Sequence, residues 1–349
     1  MTSPAPLRLG VIGCGRIAQA AHLPAIRKAP EVRLVAVSDP SAALSSGVAA
    51  RYGVAGFTDT AQLLEQDLDA VVIATPDRLH RPLGLQAIAA GKHVLMEKPL
   101  AATVAEAEEL VAAAATAGVR LQTGSMKRHD PGLQFARAGL ERIGPVLSMT
   151  SWYRVMSATR AGIQETLFPD VIVDEQVRAT ESAFKADGRR YRLATHGAHL
   201  FDGLRYFAGE LDWLTARAAA VGDDITWHGA AGIAASGGIA AFEISVAVHS
   251  GWAEGVDIFG ERGHVKVRSP YVFSKLGSSA EVFVESEGIA QRPSFADTNP
   301  FTRQLQAFAR AIRDDVETDP TPRDGVEAVR LIAAAAESSA TDGAVVHLR

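Results

Sequence analysis

A glycine loop and an acidic residue near the start of the chain have the types and the spacing that bind a dinucleotide. Gly13, Gly15 and Ala18 form a GxGxxA pattern directly after an apolar run. Gly13 permits a tight turn, Gly15 lets backbone N–H groups approach a pyrophosphate, and Ala18 lets a helix pack closely against a strand. Asp39 stands 21 residues beyond Ala18, where an acidic side chain can bind a ribose diol. The predicted dinucleotide site comprises Gly13, Cys14, Gly15, Arg16, Ile17 and Asp39.

The charge of Asp39 favours NAD over NADP, because a carboxylate accepts hydrogen bonds from ribose hydroxyls and repels a 2′-phosphate. No arginine directly follows Asp39 to receive that phosphate, but Arg16 is a candidate for doing so, and NADP therefore stays an alternative cofactor. The sequence Asp39-Pro40-Ser41 is also typical of a turn and a helix N-cap, and one carboxylate can serve both purposes.

A second set of polar residues follows two later apolar runs. Residues 74–80 come after one run, and residues 97–99 come after the next. In open α/β sheets ligands bind at the carboxyl ends of the strands, so both segments are expected at the cofactor cleft. A lysine such as Lys98 at this place can hydrogen-bond a substrate hydroxyl or act as an acid or base. The expected cofactor-pocket residues of the first segment are Thr75, Pro76 and His80.

The first 125 residues must position these groups, and their pattern is typical of a parallel sheet with helices on both faces. Short β-branched runs alternate with helical patterns that end at Gly91 and Gly118. The fold class is therefore α/β, with a doubly wound parallel sheet in a first domain, 1–125. The predicted strands are Leu7–Ile12, Val32–Ser38, Ala70–Ala74, His93–Met96 and Val119–Gln122. The predicted helices are Arg16–Lys28, Ser41–Tyr52, Leu79–Ala90 and Val104–Ala117.

From residue 126 the alternation stops, and the pattern predicts a second domain, 126–349, with an α+β fold and a largely antiparallel sheet. Its strands are expected between Leu211 and Val284, joined by glycine-containing turns. A long segment, Met156–Leu193, is expected to be irregular. The other predicted elements are a helix near Leu133–Leu140, a strand near Val146–Arg154, helices at His196–Phe207, Phe301–Asp314 and Arg323–Ser338, and a terminal run at Ala344–Leu348.

Composition and charge restrict the partners of the chain. Its 349 residues, 47% hydrophobic and 21% charged, are typical of a soluble globular protein with about two domains. The net charge of −5 and the lack of a run of Lys or Arg argue against nucleic-acid binding and favour a small-molecule partner. The longest uncharged stretch, Ile225–Phe242, is interrupted by polar residues and glycines, so no transmembrane helix is predicted.

The start of the chain and its single cysteine favour a cytoplasmic location. The start lacks a basic region followed by an apolar stretch ahead of a cleavage site, so export is not expected. Cys14 cannot form an internal disulfide, and a bound cofactor would cover it in the glycine loop, which argues against a redox role. No cluster of His, Asp or Glu has metal-ligand spacing, so no metal is predicted.

Four motifs together resemble the glucose–fructose oxidoreductase, inositol dehydrogenase and MocA (Gfo/Idh/MocA) family of NAD(P)-dependent sugar and polyol oxidoreductases. The resemblance covers nearly the whole chain, and its most specific part is GKHVxxEKP following ATPxxxH. It implies an N-terminal Rossmann domain, a C-terminal domain with an open, mainly antiparallel sheet, and a homodimer or homotetramer that forms through this sheet. The motifs are GCGRIA from Gly13, ATPDRLH from Ala74, GKHVLMEKPL from Gly91 and THGAHLFDGLRYF from Thr195.

The resemblance also implies roles for single residues. Lys98 corresponds to the family's lysine that orients the substrate and takes part in proton transfer, and Glu97 to the glutamate near the cofactor ribose and nicotinamide. The family's catalytic helix has the pattern Asp-x-Gly-x-His, which places His199 at the histidine and Thr195 where the aspartate belongs. His199 is therefore expected to accept the substrate proton without an aspartate partner. Asp202, three residues further on, is a candidate to compensate.

Five residues are candidate substrate contacts, and most have an alternative role. Thr195 can cap its helix or donate a hydrogen bond, and His196 faces either the substrate or a domain interface. Arg128 matches part of a basic family segment, but a solvated basic helix start accounts for it equally well. Trp152 and Arg154 lie on the strand before the long irregular segment, which contributes to the substrate pocket or is a surface insertion.

These observations predict an oxidoreductase that transfers a hydride between a nicotinamide and a secondary alcohol or ketone of a sugar, cyclic polyol or sugar derivative. Oxidation needs a base at the hydroxyl, for which His199 is the first candidate, with Lys98 polarising the oxygen. Two alternatives stay open. One is an enzyme that oxidises a glycoside transiently so that elimination can follow. The other is a cofactor-binding sensor or scaffold that lost catalysis together with the aspartate expected at Thr195.

Overall fold

The computed structural model describes residues 5–156, 167–184, 187–222, 224–249, 251–271, 273, 276–296 and 299–348. Contacts divide them into two units. The described residues of Met1–Ser125, Phe168–Asp187 and Phe301–Val329 form the first, and those of Met126–Leu167, Gly188–Pro300 and Arg330–Arg349 form the second. This arrangement differs from the predicted division into 1–125 and 126–349, because two later segments pack with the first unit.

The first unit contains a six-stranded parallel sheet in the order β3-β2-β1-β4-β5-β6. The sheet confirms the predicted doubly wound fold. β3 has no counterpart in the prediction, because three residues with a central glycine give no periodic pattern. The central strand β4 is buried along its whole length, as expected for a parallel sheet that helices cover. The strands are β1 (Leu7–Ile12), β2 (Val32–Ser38), β3 (Ala55–Phe57), β4 (Ala70–Ile73), β5 (His93–Met96) and β6 (Leu121–Thr123).

The helices begin and end at residues that satisfy the free backbone groups. At the start of α2, Ser41 Oγ accepts a hydrogen bond from Leu44 N (3.2 Å), and at the end of α5, Gly118 has a φ of +67°. A π-helical turn, Ala18–His22, leads into α1. No helix of the described residues is long and apolar enough to cross a membrane. Within the same residues, α1 to α10 are Leu23–Lys28, Ala42–Tyr52, Thr60–Leu64, His80–Ala89, Val104–Ala117, Pro131–Ile143, Glu175–Phe184, Gly188–Ala208, Pro300–Arg313 and Pro322–Ala340.

The second unit contains a nine-stranded sheet in the order β14-β13-β12-β11-β7-β10-β9-β8-β15. Neighbouring strands are antiparallel except β7 and β10, which are parallel, so the sheet is mainly antiparallel as predicted. Its strands, β7 to β15, are Val146–Met156, Leu211–Val221, Asp224–Ile233, Ile239–His249, Ala253–Gly260, Gly263–Ser269, Ser279–Val284, Ile289–Gln291 and Val346–His347.

One face of this sheet packs against α6 and α8 and forms the core of the second unit. Side chains alternate between the two faces of a strand, so only every second residue of β10 lies in this core. Ile239, at the start of β10, is 53% exposed, and Glu243 belongs to the opposite face, which we call the outer face. The buried apolar residues of β10 are Ala240, Phe242, Ile244 and Val246.

The segment Met156–Leu193, predicted to be irregular, is largely helical where it is described. It contains α7, and α8 begins at Gly188 rather than at the predicted His196. The prediction was wrong because charged, polar and apolar residues are mixed in both regions, so the apolar spacing alone did not distinguish a helix from an irregular segment. Residues 157–166 of this segment lie outside the described residues. The predicted contribution of this segment to a substrate pocket falls partly on those residues.

Candidate active site

The candidate residues form two sets, one in each unit, and the first set begins at the glycine loop. Gly13 has a φ of +94°, and a Cβ there would lie 2.7 Å from the carbonyl oxygen of Ala74. A Cβ on Gly15 would have no described atom within 4 Å. The turn therefore requires Gly13, and Gly15 leaves its backbone open to a ligand. Arg16 and Ile17 follow as half-buried residues.

Asp39 lies at the end of β2 and is tied to the glycine loop. Its Oδ2 accepts a hydrogen bond from Cys14 N (2.9 Å), and its Oδ1 accepts one from Ser41 N (2.9 Å). The pKa of Asp39 is raised, mainly by burial, although these two hydrogen bonds act in the opposite direction. Each oxygen of a carboxylate can accept a further hydrogen bond, so Asp39 retains the capacity to bind a ribose hydroxyl.

Cys14 contributes to the loop through its backbone. The side chain is fully buried, and its Sγ lies 3.7 Å from the carbonyl oxygen of Ser38. Burial, followed by the charge of Asp39, raises the pKa of the Cys14 thiol to about 12. The thiol is therefore protonated at neutral pH and is a poor nucleophile.

His80 joins the loops that follow β4 and β5. Its Nδ1 lies 2.8 Å from Pro99 O, and its Nε2 lies 2.9 Å from Thr75 O. Burial lowers the pKa of His80, so the ring is neutral at neutral pH and donates one hydrogen bond. His80 therefore lies between the carbonyl oxygens of the two loops and donates to one of them, and its predicted contact with the cofactor stays a prediction. Pro76 precedes the turn at the end of the first loop, and the Thr75 hydroxyl is buried without a hydrogen-bond partner among the described residues.

Glu97 connects Lys98 to a buried histidine. Glu97 Oε1 lies 2.7 Å from His22 Nε2, and Glu97 Oε2 accepts a hydrogen bond from Lys98 N (3.1 Å). Both carboxylate and imidazole are buried. Burial acts to raise the pKa of Glu97, but the hydrogen bond and charge of His22 and the charge of Lys98 together lower it. The pair therefore fixes the backbone that carries the half-buried Lys98 side chain.

The second set of residues surrounds Tyr153 on β7. The Tyr153 and His199 rings are stacked, with centroids 5.5 Å apart and an interplanar angle of 9°. His196 lies at the same centroid distance, 5.5 Å, at an angle of 36°, and it is buried. Tyr153 therefore brings His196 and His199 together, while Thr195 is half-buried one residue earlier on α8.

An ion pair whose two side chains are 12% exposed adjoins the same tyrosine. Lys127 Nζ lies 4.6 Å from the centre of the Tyr153 ring, and it is paired with Glu254. Burial raises the pKa of Glu254 against the lowering effect of Lys127, and Glu254 Oε2 has no hydrogen-bond partner among the described residues. Lys127 thus carries its charge over the Tyr153 ring, which also stacks on His199.

Arg128 and Asp202 are a structural pair. Arg128 Nε donates to both carboxylate oxygens of Asp202 (3.0 and 3.1 Å), and both side chains are 6% exposed. Arg128 also lies over the Tyr206 ring, 5.2 Å from its centre. These contacts hold both side chains in place, and the contact of Arg128 with a substrate stays a prediction.

Trp152 and Arg154 belong to the outer face of the sheet. Successive residues of a strand point to opposite faces, and Tyr153, between them, points into the core. Arg154 is paired with Glu243 of β10 (2.7 Å) and lies over the Trp152 ring. The alternation along β7 therefore places Trp152 and Arg154 on the face opposite Tyr153, and their contribution to a substrate pocket stays a prediction.

The first unit has features that fit a dinucleotide independently of any comparison. They are the open backbone at Gly15, the spare acceptor capacity of Asp39 and the Thr75 hydroxyl, which has no hydrogen-bond partner within the described part of the chain. When bound, a nicotinamide accepts or donates a hydride, and Gly13 to Ile17, Asp39 and Thr75 are the residues that would hold its nucleotide part. Among the described residues, no group of three or more His, Cys, Asp or Glu is arranged to hold a metal ion.

The chain belongs to the Gfo/Idh/MocA family of oxidoreductases. Residues 7–125 match its domain described as an oxidoreductase family, NAD-binding Rossmann fold, and residues 185–348 match its C-terminal alpha/beta domain. The family confirms the resemblance stated above, the NAD-binding Rossmann domain and the class of enzyme, a dehydrogenase or reductase.

Several relatives have names that describe enzymes acting on polyols or sugars. Inositol 2-dehydrogenase of Rhizobium meliloti (strain 1021) is 28% identical over 96% of this chain and 97% of its own length. Inositol 2-dehydrogenase of Rubrobacter xylanophilus is 30% identical over 75% of this chain and 71% of its own length. Levoglucosan dehydrogenase, solved with NADH and L-sorbose, has a TM-score of 0.80 at 19% identity and covers 99% of this chain and 100% of its own. The protein is thus an NAD-dependent oxidoreductase of a sugar and polyol family.

Two residues of the candidate site were not singled out by the sequence. Tyr153 lies between the two candidates on β7, and the period of two along a strand could have indicated that only one of the three faces the helix. His22 is 75 residues from its partner Glu97, and no local pattern connects them.

Proposed function

We propose that the protein is an NAD-dependent dehydrogenase that interconverts a secondary alcohol and a ketone on a cyclic polyol, sugar or sugar derivative. The observation that carries the proposal is the buried His22–Glu97 pair that fixes Lys98 at the carboxyl end of β5, the edge at which a parallel sheet binds its ligand. The inositol dehydrogenase relatives support the substrate class.

In the proposed oxidation, the carbinol C–H bond breaks and its electron pair leaves as a hydride to the nicotinamide. Lys98 hydrogen-bonds the reacting oxygen, and an imidazole nitrogen of His199 accepts the hydroxyl proton, so that the C=O bond forms. The family's pattern has an aspartate at the position of Thr195. In this chain, Tyr153 orients His199 by ring stacking instead. In reduction the same groups act in the opposite direction.

A screen of substrates tests the proposal directly. Inositols, aldoses, anhydrosugars and sugar acids are each incubated with NAD and with NADP, and formation of the reduced cofactor is followed. We expect turnover with at least one of these compounds and with NAD preferred, because Asp39 repels a 2′-phosphate. Tight NAD binding with no turnover across the panel would favour the sensor alternative. A cleaved glycoside without net cofactor reduction would favour the elimination alternative.

We also propose that copies of the chain form a homodimer or homotetramer through the outer face of the nine-stranded sheet. β10 is amphipathic, so its core face is already covered and only its outer face is available to a partner. Support comes from Ile239 and Phe259, which are 53% and 46% exposed on that face. Exposed apolar side chains on one face of a sheet are typical of an interaction surface.

A further inference from the structure

Residues 168–184, which we call the strap, are attached to the glycine loop by one glutamine. Gln19 Nε2 donates to Ile172 O (2.9 Å), and Ile172 N donates to Gln19 Oε1 (2.8 Å). The same Nε2 donates to Cys14 O (2.8 Å) in the loop. The Ile172 side chain also packs on α2, because a Cβ on Gly47 would lie 2.8 Å from its Cδ1. The strap is therefore held firmly beside the loop that is predicted to bind pyrophosphate.

Further contacts attach the strap near the ends of two other strands. Ser41, just after β2, donates its hydroxyl hydrogen to Asp174 Oδ2 (2.6 Å). Arg78, in the turn after β4, is ion-paired with Glu181. Because β2, β1 and β4 are neighbours in that order, these attachments follow the carboxyl edge of the parallel sheet. This edge is where the adenosine part of a dinucleotide binds in a Rossmann fold.

Ser41 connects the strap to the proposed ribose ligand. Its backbone N–H donates to Asp39 Oδ1 (2.9 Å), while its hydroxyl donates to Asp174, so one residue joins two carboxylates. The pKa of Asp174 is lowered, chiefly by the Ser41 hydrogen bond, and Asp174 is therefore charged at neutral pH. After burial, the charge of Asp174 is the other influence that raises the pKa of Asp39, so the two carboxylates interact.

We propose that Asp174 is a second cofactor-specificity residue, which acts with Asp39 to exclude the 2′-phosphate of NADP. Two carboxylates joined through Ser41 create a stronger negative potential than Asp39 alone at the place of the ribose 2′ position. The strap lies outside both family matches, 7–125 and 185–348, so this residue is a feature of the chain itself and not of the matched domains. The inference rests on the proposed role of Asp39.

Asp174→Asn is the variant that tests this role. Asn retains the size and helix-capping ability of Asp, and Asp174 Oδ1 caps α7 by accepting from Gln176 N (2.9 Å), so the fold should persist. Dissociation constants of NADH and NADPH are measured by fluorescence titration for the wild type, Asp174→Asn, Asp39→Asn and the double variant. We expect Asp174→Asn to strengthen NADPH binding about threefold to tenfold while NADH binding changes less than about twofold. The double variant should bind NADPH more tightly than either single one.

The matched control is Glu175→Gln, which removes a charge from the next residue, whose carboxylate is paired with Arg178 and not with Ser41. If Glu175→Gln strengthens NADPH binding as much as Asp174→Asn does, the effect comes from net charge alone and the proposal is overturned. Asp174→Ser, which also caps a helix without a charge, must reproduce the result of Asp174→Asn. If the ratio of the NADPH and NADH dissociation constants is that of the wild type in both variants, the proposal is overturned. If Asp39→Asn alone shifts the ratio, only the role of Asp174 fails. If neither position shifts it, the proposed role of Asp39 fails as well.

Discussion

Glu97 is the residue that ties the proposed catalytic lysine to the interior of the first unit. The residue is 6% exposed, and its carboxylate contacts both His22 and the backbone of Lys98. A carboxylate at such a place is stable only while hydrogen bonds or a paired charge compensate for its lost hydration. His22 also packs edge-on against Phe301, with ring centroids 5.5 Å apart, so the imidazole has little freedom to leave.

Removing the imidazole by His22→Ala should destabilise the protein strongly. The carboxylate of Glu97 would lose its partner in the interior, and breaking a buried pair costs about 3–5 kcal/mol. The free energy of unfolding is measured in urea. Arg81→Ala, which breaks an exposed pair with Glu109, is the control and should cost at most about 1 kcal/mol. Equal losses in the two variants would contradict the role assigned to His22.

At the residue scale, the sequence predicted the local geometry of the glycine loop. Gly13, Gly15 and Asp39 lie where the fingerprint placed them, because the turn after β1 imposes its own residue types. It could not predict that Arg128 would pair with Asp202, since 74 residues separate them. Partners distant along the chain leave no periodic pattern.

The strand β7 determines which side chains meet His199, because its residues alternate between two faces. Tyr153 faces α8, whereas its neighbours belong to the outer face. Tyr153→Leu should therefore lower kcat about threefold to tenfold, because an aromatic pair contributes about 0.5–1.5 kcal/mol. The KM for NAD should be unchanged.

Met149→Leu is the control for this variant, since Met149 is buried on the same face of β7 and is replaced at nearly constant volume. Steady-state kinetics on any substrate found in the screen would compare the two. A similar fall in kcat for both variants would show that core packing, and not the contact with His199, controls the rate.

Paired charges on the outer face should make the stability depend on pH. Burial acts to raise the pKa of Glu243, but hydrogen bonds from Arg154 and Ser245 bring it to about 2. Because this pKa is lower in the folded chain, Glu243 stabilises the fold above pH 4.5 and loses that effect as the pH falls towards about 2. As the pH falls over this range, the free energy of unfolding should therefore drop by about 1–3 kcal/mol less in Glu243→Gln than in the wild type.

The free energy of unfolding, measured from pH 7 down to the acid limit, checks this expectation. Glu285→Gln, which removes an exposed carboxylate in the turn after β13, is the control and should leave the pH profile as in the wild type. A profile of Glu243→Gln that parallels the wild type would refute the account.

Regular elements with strong periodicity were predicted well, and those positioned by tertiary contacts were not. The β-strands of the first sheet follow from β-branched runs that only a buried sheet accommodates. By contrast, α7 is held by Ser41 and Arg78 of the first unit, contacts that bridge more than 100 residues. The sequence therefore predicted the sheet of the first unit but assigned the strap to an irregular part of the second domain.

For the whole molecule, the account predicts an assembly larger than the 36.8 kDa chain. Light scattering should give twice or four times this mass, and Phe259→Glu should lower it, because Phe259 is an exposed apolar residue of the outer face. Val316→Glu, at an exposed valine of the first unit, is the control and should leave the mass unchanged. A monomer at every concentration would contradict the prediction.

The central claim is that a hydride passes from a carbinol carbon to the nicotinamide with the help of Lys98 and His199. The most direct test follows deuterium from the carbinol carbon of a labelled polyol or sugar to the cofactor by mass spectrometry. We predict that the reduced cofactor carries the deuterium and that ketone forms in equal amount. Lys98→Ala and His199→Ala should slow this transfer about 10²–10⁴-fold while NAD still binds. A cofactor free of deuterium, or a transfer rate unchanged in both variants, would contradict the account.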